Sequence, residues 1–196
     1  TSSFSFASNV DGDNIINTTN TINNSMKNII FGTMRLNTAE NPMDLLDAVW
    51  GMGCRTFDLA HIYGKEVESL VGKWIQKRKI NRKEIIIVGK GGHPFFNSKH
   101  KARLNKKDLL KDIHDTLNRL SIDYIDIYLL HRDDPVLFPN VVDIVQTMND
   151  LVQSGQIKQW GTSNFTPYRF QLMYECAKNL NLVIPRYFSP QYSLTI

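Results

Sequence analysis

Three ionisable residues each close a short apolar run: Asp58 in Thr-Phe-Asp-Leu-Ala-His, Lys90 in Ile-Val-Gly-Lys-Gly, and His131 in Tyr-Leu-Leu-His-Arg-Asp. A parallel strand covered on both faces has no packing reason to place a charge beside its last apolar residue. Three such endings in succession point to strand ends that converge on one mouth. Tyr63 follows Asp58 by five residues, where Gly64 permits the turn into the next helix. A tyrosine taken alone packs by its ring and finds one hydrogen bond. Beside an Asp, a Lys and a His it becomes a candidate proton donor. A phenol with pKa near 10 is a poor acid at neutral pH. An ammonium about 4 Å away, at an effective dielectric near 20, favours phenolate by up to about 4 kcal/mol. The expectation is therefore a Tyr63 phenol shifted downward by Lys90, with Asp58 holding the lysine's proton against burial. His131 would hydrogen-bond a carbonyl oxygen or share the proton with Tyr63. The set suits polarising and protonating a C=O group, with electrons supplied from elsewhere.

Positioning four residues so far apart needs a repeating scaffold. Strands are expected over residues 29–33, 56–60, 85–90, 125–131, 157–163 and 186–194, separated by amphipathic helical stretches, which is the alternation of βα units around a parallel sheet. The clearest helix carries Val141, Ile144, Val145, Met148, Leu151 and Val152 on one face, and similar faces run through Val67, Leu70, Val71 and Trp74, through Leu109, Ile113, Leu117 and Leu120, and through Phe170, Met173, Tyr174 and Ala177. Asn105 with Asp108 caps one helix, Gly155 follows another, and Thr166-Pro167 opens a third. The strand-end residues Asp58, Lys90, His131, Ser163 and Gln191 are 32, 41, 32 and 28 apart, as one repeating βα unit requires. An open doubly wound sheet shares the alternation but would advertise a glycine-rich phosphate loop. Neither G-x-G-x-x-G nor G-x-x-x-x-G-K-[ST] occurs, so a TIM-type (β/α)8 barrel is the expected fold class. It is incomplete here, with about six units and about two missing, since such a barrel takes about 250 residues.

Composition agrees. The 196 residues are 42% hydrophobic and 21% charged, the make-up of a globular domain. The longest aliphatic run, Ile85-Ile86-Ile87-Val88, is far short of the roughly 20 residues of a membrane-spanning helix. The start has neither the basic region nor the apolar region of a secretory signal, so a cytoplasmic setting is expected. Residues 1–28 hold 16 Asn, Ser or Thr and three charges with no periodicity, and read as a tail or linker. The leading threonine and the stop after the sixth strand suggest a longer parent. Cys54 and Cys176 read as small core hydrophobes.

Asp58, Tyr63, Lys90 and His131, with the spacing D-x-x-x-x-Y, resemble the catalytic tetrad of the aldo-keto reductases. Phe-Gly-Thr-Met on the first strand, Gly-Thr-Ser-Asn at 161–164 and Pro-Gln-Tyr-Ser at 190–193 extend the resemblance over about residues 29–196. It implies a barrel oxidoreductase that transfers hydride from NADPH to an aldehyde or ketone. In it Tyr63 is the acid, Lys90 and Asp58 tune it, and His131 orients the carbonyl. It further implies Thr33, Ser163, Asn164 and Gln191 as cofactor-binding residues, the last three on the nicotinamide carboxamide. From the residues alone, Ser163 and Asn164 read as a helix cap. Family members continue into two further βα units whose loops clasp the cofactor's diphosphate and 2′-phosphate. The expectation is thus a reductase in the intact parent and weak or no NADPH binding by this chain alone. The alternative is a non-catalytic barrel of the same ancestry that binds nucleotide or a protein partner.

No metal site is expected, since His61, His93, His100, His114 and His131 include no pair at i, i+4. His93 and Arg132-Asp133-Asp134-Pro135 fall in loops that could line a substrate mouth. The basic stretch Lys99, Lys101, Arg103, Lys106, Lys107, Lys111 lacks interleaved aromatics and reads as a solvated face, not a nucleic-acid site. The net charge of +4 is too small to name such a partner.

Overall fold

A computed structural model describes residues 26–95, 103–133 and 140–190. Six strands, β1 (Ile30–Gly32), β2 (Thr56–Asp58), β3 (Ile86–Gly91), β4 (Ile125–Leu130), β5 (Ile157–Ser163) and β6 (Tyr187–Ser189), form one sheet. Every pairing is parallel, and the spatial order is the chain order. A doubly wound sheet would reverse direction at a switch point. This one never does, so it is the singly wound, incomplete barrel that the alternation predicts. Five helices follow the strands: α1 (Pro42–Gly51), α2 (Lys65–Lys77), α3 (Lys106–Leu120), α4 (Val141–Gln153) and α5 (Pro167–Asn179). None of the described helices is long and apolar enough to cross a membrane.

Period-two alternation sorts the strands into two faces. Asp58, Val88, Lys90, Ile127 and Leu129 line a concave cavity of about 710 Å³. Phe57, Ile87, Tyr128 and Leu130 alternate with them and are fully buried in the core they share with the helices. Ile30 and Gly32 of β1 and Tyr187 and Ser189 of β6 border the same cavity, so the sheet curls until its two outer strands look across one space.

The helix ends follow local chemistry. The Asn105 side chain accepts from the Asp108 N–H at 3.0 Å, and that of Thr166 from the Arg169 N–H at 3.3 Å, with Pro167 at the first turn. The helix α1 was not read from the sequence, although Asn41-Pro42 and the spacing of Leu46, Val49 and Trp50 carry its signal. Its Asp47 accepts from the Trp74 indole N–H at 2.9 Å and is bridged by Arg78. Four strands, β1, β2, β4 and β6, are shorter within the described residues than the apolar runs suggest, because a run's apolar length measures burial and a strand's length measures pairing. β2 ends at Asp58, yet Leu59 and Ala60 beyond it are fully buried. Met26 falls in the segment read as tail, yet its N–H donates to the Met52 carbonyl at 3.1 Å and it packs on the core. Residues 191–194 of the expected last strand, together with Lys99, His100, Lys101, Asp134 and Pro135, lie outside the described residues.

Helices α2 and α3 cross at Gly72. A Cβ there would lie 2.7 Å from the Leu120 carbonyl oxygen and 2.8 Å from that of Arg119, both backbone atoms that cannot swing aside. Helix propensity alone would make Gly72→Ala stabilising by roughly 1 kcal/mol. Overpacking, at roughly 1–3 kcal/mol, wins. Gly72→Ala is expected to lower the free energy of unfolding in denaturant titrations of the intact gene product; an unchanged or raised value would show that the helix pair has room to separate.

Candidate active site

The four strand-end residues come together. Lys90, at the C-terminal end of β3 and 6% exposed, donates from Nζ to Oδ1 of Asp58 at the end of β2. A second, longer contact at 3.5 Å reaches the Leu59 carbonyl. The ammonium lies 5.4 Å from the centroid of the Tyr63 ring, which sits on a single turn of 3-10 helix, His61–Tyr63. That turn is closed by the Tyr63 N–H donating to the Ala60 carbonyl at 2.9 Å. The chain then leaves it through Gly64 at φ 103°, a conformation that favours glycine. His131 follows β4, is 8% exposed, and meets the Tyr63 ring edge to face with centroids 6.0 Å apart. Its backbone N–H donates to the Gly91 carbonyl at 2.8 Å.

Electrostatics differ from the expectation at one residue. Burial, and then the negative charge of Asp58, raise the Tyr63 phenol above its ordinary value. The downward shift expected from Lys90 does not appear: desolvation of the phenolate and the nearby Asp58 carboxylate outweigh the ammonium, which is bound to that carboxylate. Burial lowers the His131 pKa to about 3, helped by the positive charges of Lys90, His93 and Arg132. Its imidazole is therefore neutral at physiological pH: it can hold a carbonyl oxygen by a hydrogen bond but carries no spare proton. Its Nδ1 is buried without a partner among the described residues. A second imidazole, His93, lies edge to face against it, with centroids 4.9 Å apart.

At the end of β5, Ser163 is 5% exposed. Asn164 takes a left-handed backbone, φ 59°, and its amide donates to the His131 carbonyl at 3.0 Å and to Ser163 Oγ at 3.1 Å. The helix cap suggested for these two residues is made by Thr166, which leaves them beside the site. Ser163 Oγ accepts from Asn164 and keeps its own hydrogen to donate, and an amide and a hydroxyl together offer the donors and acceptors that a carboxamide needs. The residues present thus fit the nicotinamide end of a dinucleotide. Thr33 is fully buried and its hydroxyl donates to the Asp58 carbonyl at 2.9 Å, so it braces the end of β2. Gln191 lies outside the described residues. Among the described residues no group of three or more His, Cys, Asp or Glu could hold a metal ion.

Sequence reading missed the charged residues behind the site. Asp112 and Glu68 are fully buried. Asp112 accepts from the Gly92 N–H at 2.9 Å and pairs with Arg103, while Glu68 accepts from the Thr116 hydroxyl at 2.7 Å and from Arg119 at 2.8 Å. The signal was present: Asp112 and Thr116 fall on the stripe of Leu109, Ile113, Leu117 and Leu120, where a one-faced helix should be apolar.

Residues 28–194 match the sequence profile of the Aldo/keto reductase family. A Schizosaccharomyces pombe protein named "Putative voltage-gated potassium channel subunit beta" is 30% identical over 159 residues, 79% of this chain and 45% of that protein. A second from the same organism, "Putative aryl-alcohol dehydrogenase C977.14c", is 31% identical over 69% of this chain and 44% of its own length. "Aldo-keto reductase YhdN" of Bacillus subtilis is 30% identical over 70% of this chain and 41% of its own length. The chain therefore spans less than half the length of these relatives. With a profile match over most of its residues, on a singly wound sheet whose strand ends gather Asp58, Tyr63, Lys90 and His131, the chain belongs to the aldo/keto reductase family.

Proposed function

We propose that the intact gene product reduces an aldehyde or ketone to the alcohol, using NADPH, with Tyr63 as general acid. The observation that carries this reading is the Asp58–Lys90 pair set against the Tyr63 ring, with a neutral His131 meeting the same ring edge to face. Ser163, Asn164 and Gln191 would hold the carboxamide of the nicotinamide. The reduced ring, when bound, supplies two electrons as hydride to the carbonyl carbon. The protein's residues handle the oxygen. His131 donates a hydrogen bond that orients it. Tyr63, protonated at neutral pH, gives it a proton as negative charge develops. The phenolate left behind lies near the Lys90 ammonium, and Asp58 keeps that ammonium in place. By its composition the segment before Met26 serves as a tail or linker, and a reducing cytoplasm suits the two free thiols.

The name of the channel-subunit relative favours a second reading, a barrel that binds nucleotide or a protein partner without turnover. The two separate on the intact gene product, assayed for NADPH oxidation with a simple aromatic aldehyde. Turnover is expected, with Tyr63→Phe lowering kcat by about 10²–10⁴-fold and leaving NADPH affinity, read by fluorescence, within about twofold. Absence of turnover in both forms would favour the binding module. Full activity in Tyr63→Phe would remove tyrosine from the acid role.

His131 supplies an independent check. An imidazole in the unfolded chain titrates near 6.5, whereas the folded one titrates at about 3. Between those values the unfolded state binds more protons, so this group's contribution to stability is present above about pH 6.5 and is lost as pH falls through the window. NMR titration of the His131 ring is expected to show no protonation above about pH 4, and His131→Gln to flatten the decline in melting temperature between pH 7 and 4. A ring titrating near 6.5 would contradict the neutral, orienting role.

A further inference from the structure

The buried carboxylate of Asp112 touches neither Tyr63 nor His131, yet it is tied to the loops that carry both sides of the site. Its Oδ2 accepts from the Gly92 N–H at 2.9 Å and from Arg103 Nη1 at 2.9 Å, and its Oδ1 accepts from Arg103 Nη2 at 2.5 Å. Arg103 also donates to the His93 carbonyl at 3.0 Å, so the Asp–Arg pair holds the loop after β3 by two successive backbone groups. On the other side His61 reaches the same helix: its Nδ1 is 3.5 Å from Asp112 Oδ1 and its Nε2 is 3.1 Å from Asp115 Oδ2. His61 opens the turn that ends in Tyr63, and His93 lies against His131. Among the described residues Asp115 is braced further by Lys111 and Arg119.

We propose that Asp112, Asp115, Arg103 and His61 form a positioning centre for the reaction, in which two carboxylates one turn apart on α3 fix the turn bearing Tyr63, through His61, and the loop pressing His93 on His131. This rests on the reductase reading above. The arrangement is a poor device for stability alone, because a buried ion pair is often matched or exceeded by apolar side chains of the same volume. Its value is geometric: a carboxylate offers two oxygens and several lone pairs, enough to collect donors from separate loops, which an apolar side chain cannot do. A displacement of about 1 Å at reacting groups can cost about 100-fold in rate.

The rival explanation is that these residues merely hold α3 to the sheet. A reference for that exists at the opposite ends of the strands, where Arg82 pairs with Asp126 and donates to the Ile85 and Tyr124 carbonyls far from the tetrad. The test compares His61→Ala, His61→Gln, Arg103→Lys and Arg82→Ala in the intact gene product. The readouts are kcat, aldehyde KM, melting temperature and the primary isotope effect with cofactor deuterated at the transferred hydrogen. His61→Ala is expected to lower kcat by about 10–100-fold and to enlarge the isotope effect, and His61→Gln, whose amide can still donate to Asp115, to recover most of the loss. Arg103→Lys keeps the charge but loses the forked contact, and is expected to raise KM by about fivefold or more. Arg82→Ala should lower the melting temperature while kcat and the isotope effect stay at wild-type values. Wild-type kcat and isotope effect in His61→Ala, or losses in Arg82→Ala equal to those in His61→Ala, would overturn the proposal while leaving the reductase reading intact. A wild-type protein without turnover would instead sink the reductase reading, and this proposal with it.

Discussion

Moving an ammonium out of water costs several kcal/mol unless a carboxylate meets it, and the Lys90–Asp58 pair is where this protein meets that demand. The two residues sit at the ends of neighbouring strands, so their approach requires β2 and β3 to be parallel and in register, with Asp58 opposite Val88 and Lys90 one pleat further on. The pair in turn decides the character of Tyr63. With the ammonium already satisfied, burial and the Asp58 charge raise the phenol and keep its proton in place. His131 is driven the other way by the same surroundings. One desolvated pocket thus gives a phenol that keeps its proton and an imidazole that stays uncharged, and the acid and orienting roles proposed for them draw on that separation.

Behind the pocket a second layer of charge ties the loops to α3. Asp112 holds the loop after β3 and Asp115 the turn that begins at His61, while Glu68 links α2 to α3 through Thr116 and Arg119. Tyr128, fully buried between these carboxylates and the sheet, has its phenol raised well above the usual value, first by burial and then by Asp112 and Glu68. The region between helices and sheet is therefore not simply hydrophobic. It is apolar around Trp74, Phe57 and Trp50, whose rings pack at centroid distances of 5.2 and 5.7 Å, and polar nearer the strand ends that carry the chemistry.

Much of this was legible in the residues, for identifiable reasons. β5 spans residues 157–163 as read, because its apolar alternation and its pairing on both sides coincide. The tetrad was legible because each charge interrupts an apolar run at a strand end, an event with no packing rationale. The direction of the Tyr63 shift was not, since it depends on whether Lys90 is already engaged, and that is a matter of distances in space. Thr33 was assigned to the cofactor by resemblance, whereas its hydroxyl is given to the Asp58 carbonyl. Asp112 stands within an apolar helix stripe, and the reason lies in donors that reach it from elsewhere in the chain, the Gly92 N–H and the Arg103 guanidinium, which helix patterning does not display.

The strictly sequential pairing of the strands carries a consequence for how the molecule comes into being. Each strand's partner is the one most recently made, so the sheet can grow by accretion as the polypeptide emerges in its N-to-C direction. Asp58, Tyr63, Lys90 and His131 belong to three adjoining strands and their loops, and this cluster can therefore take shape before Ser163 and Asn164 have left the ribosome. The residues proposed for the proton and those proposed for the cofactor are in this sense successive chapters of one biosynthetic sequence, the first complete by the fourth strand and the second begun only at the fifth.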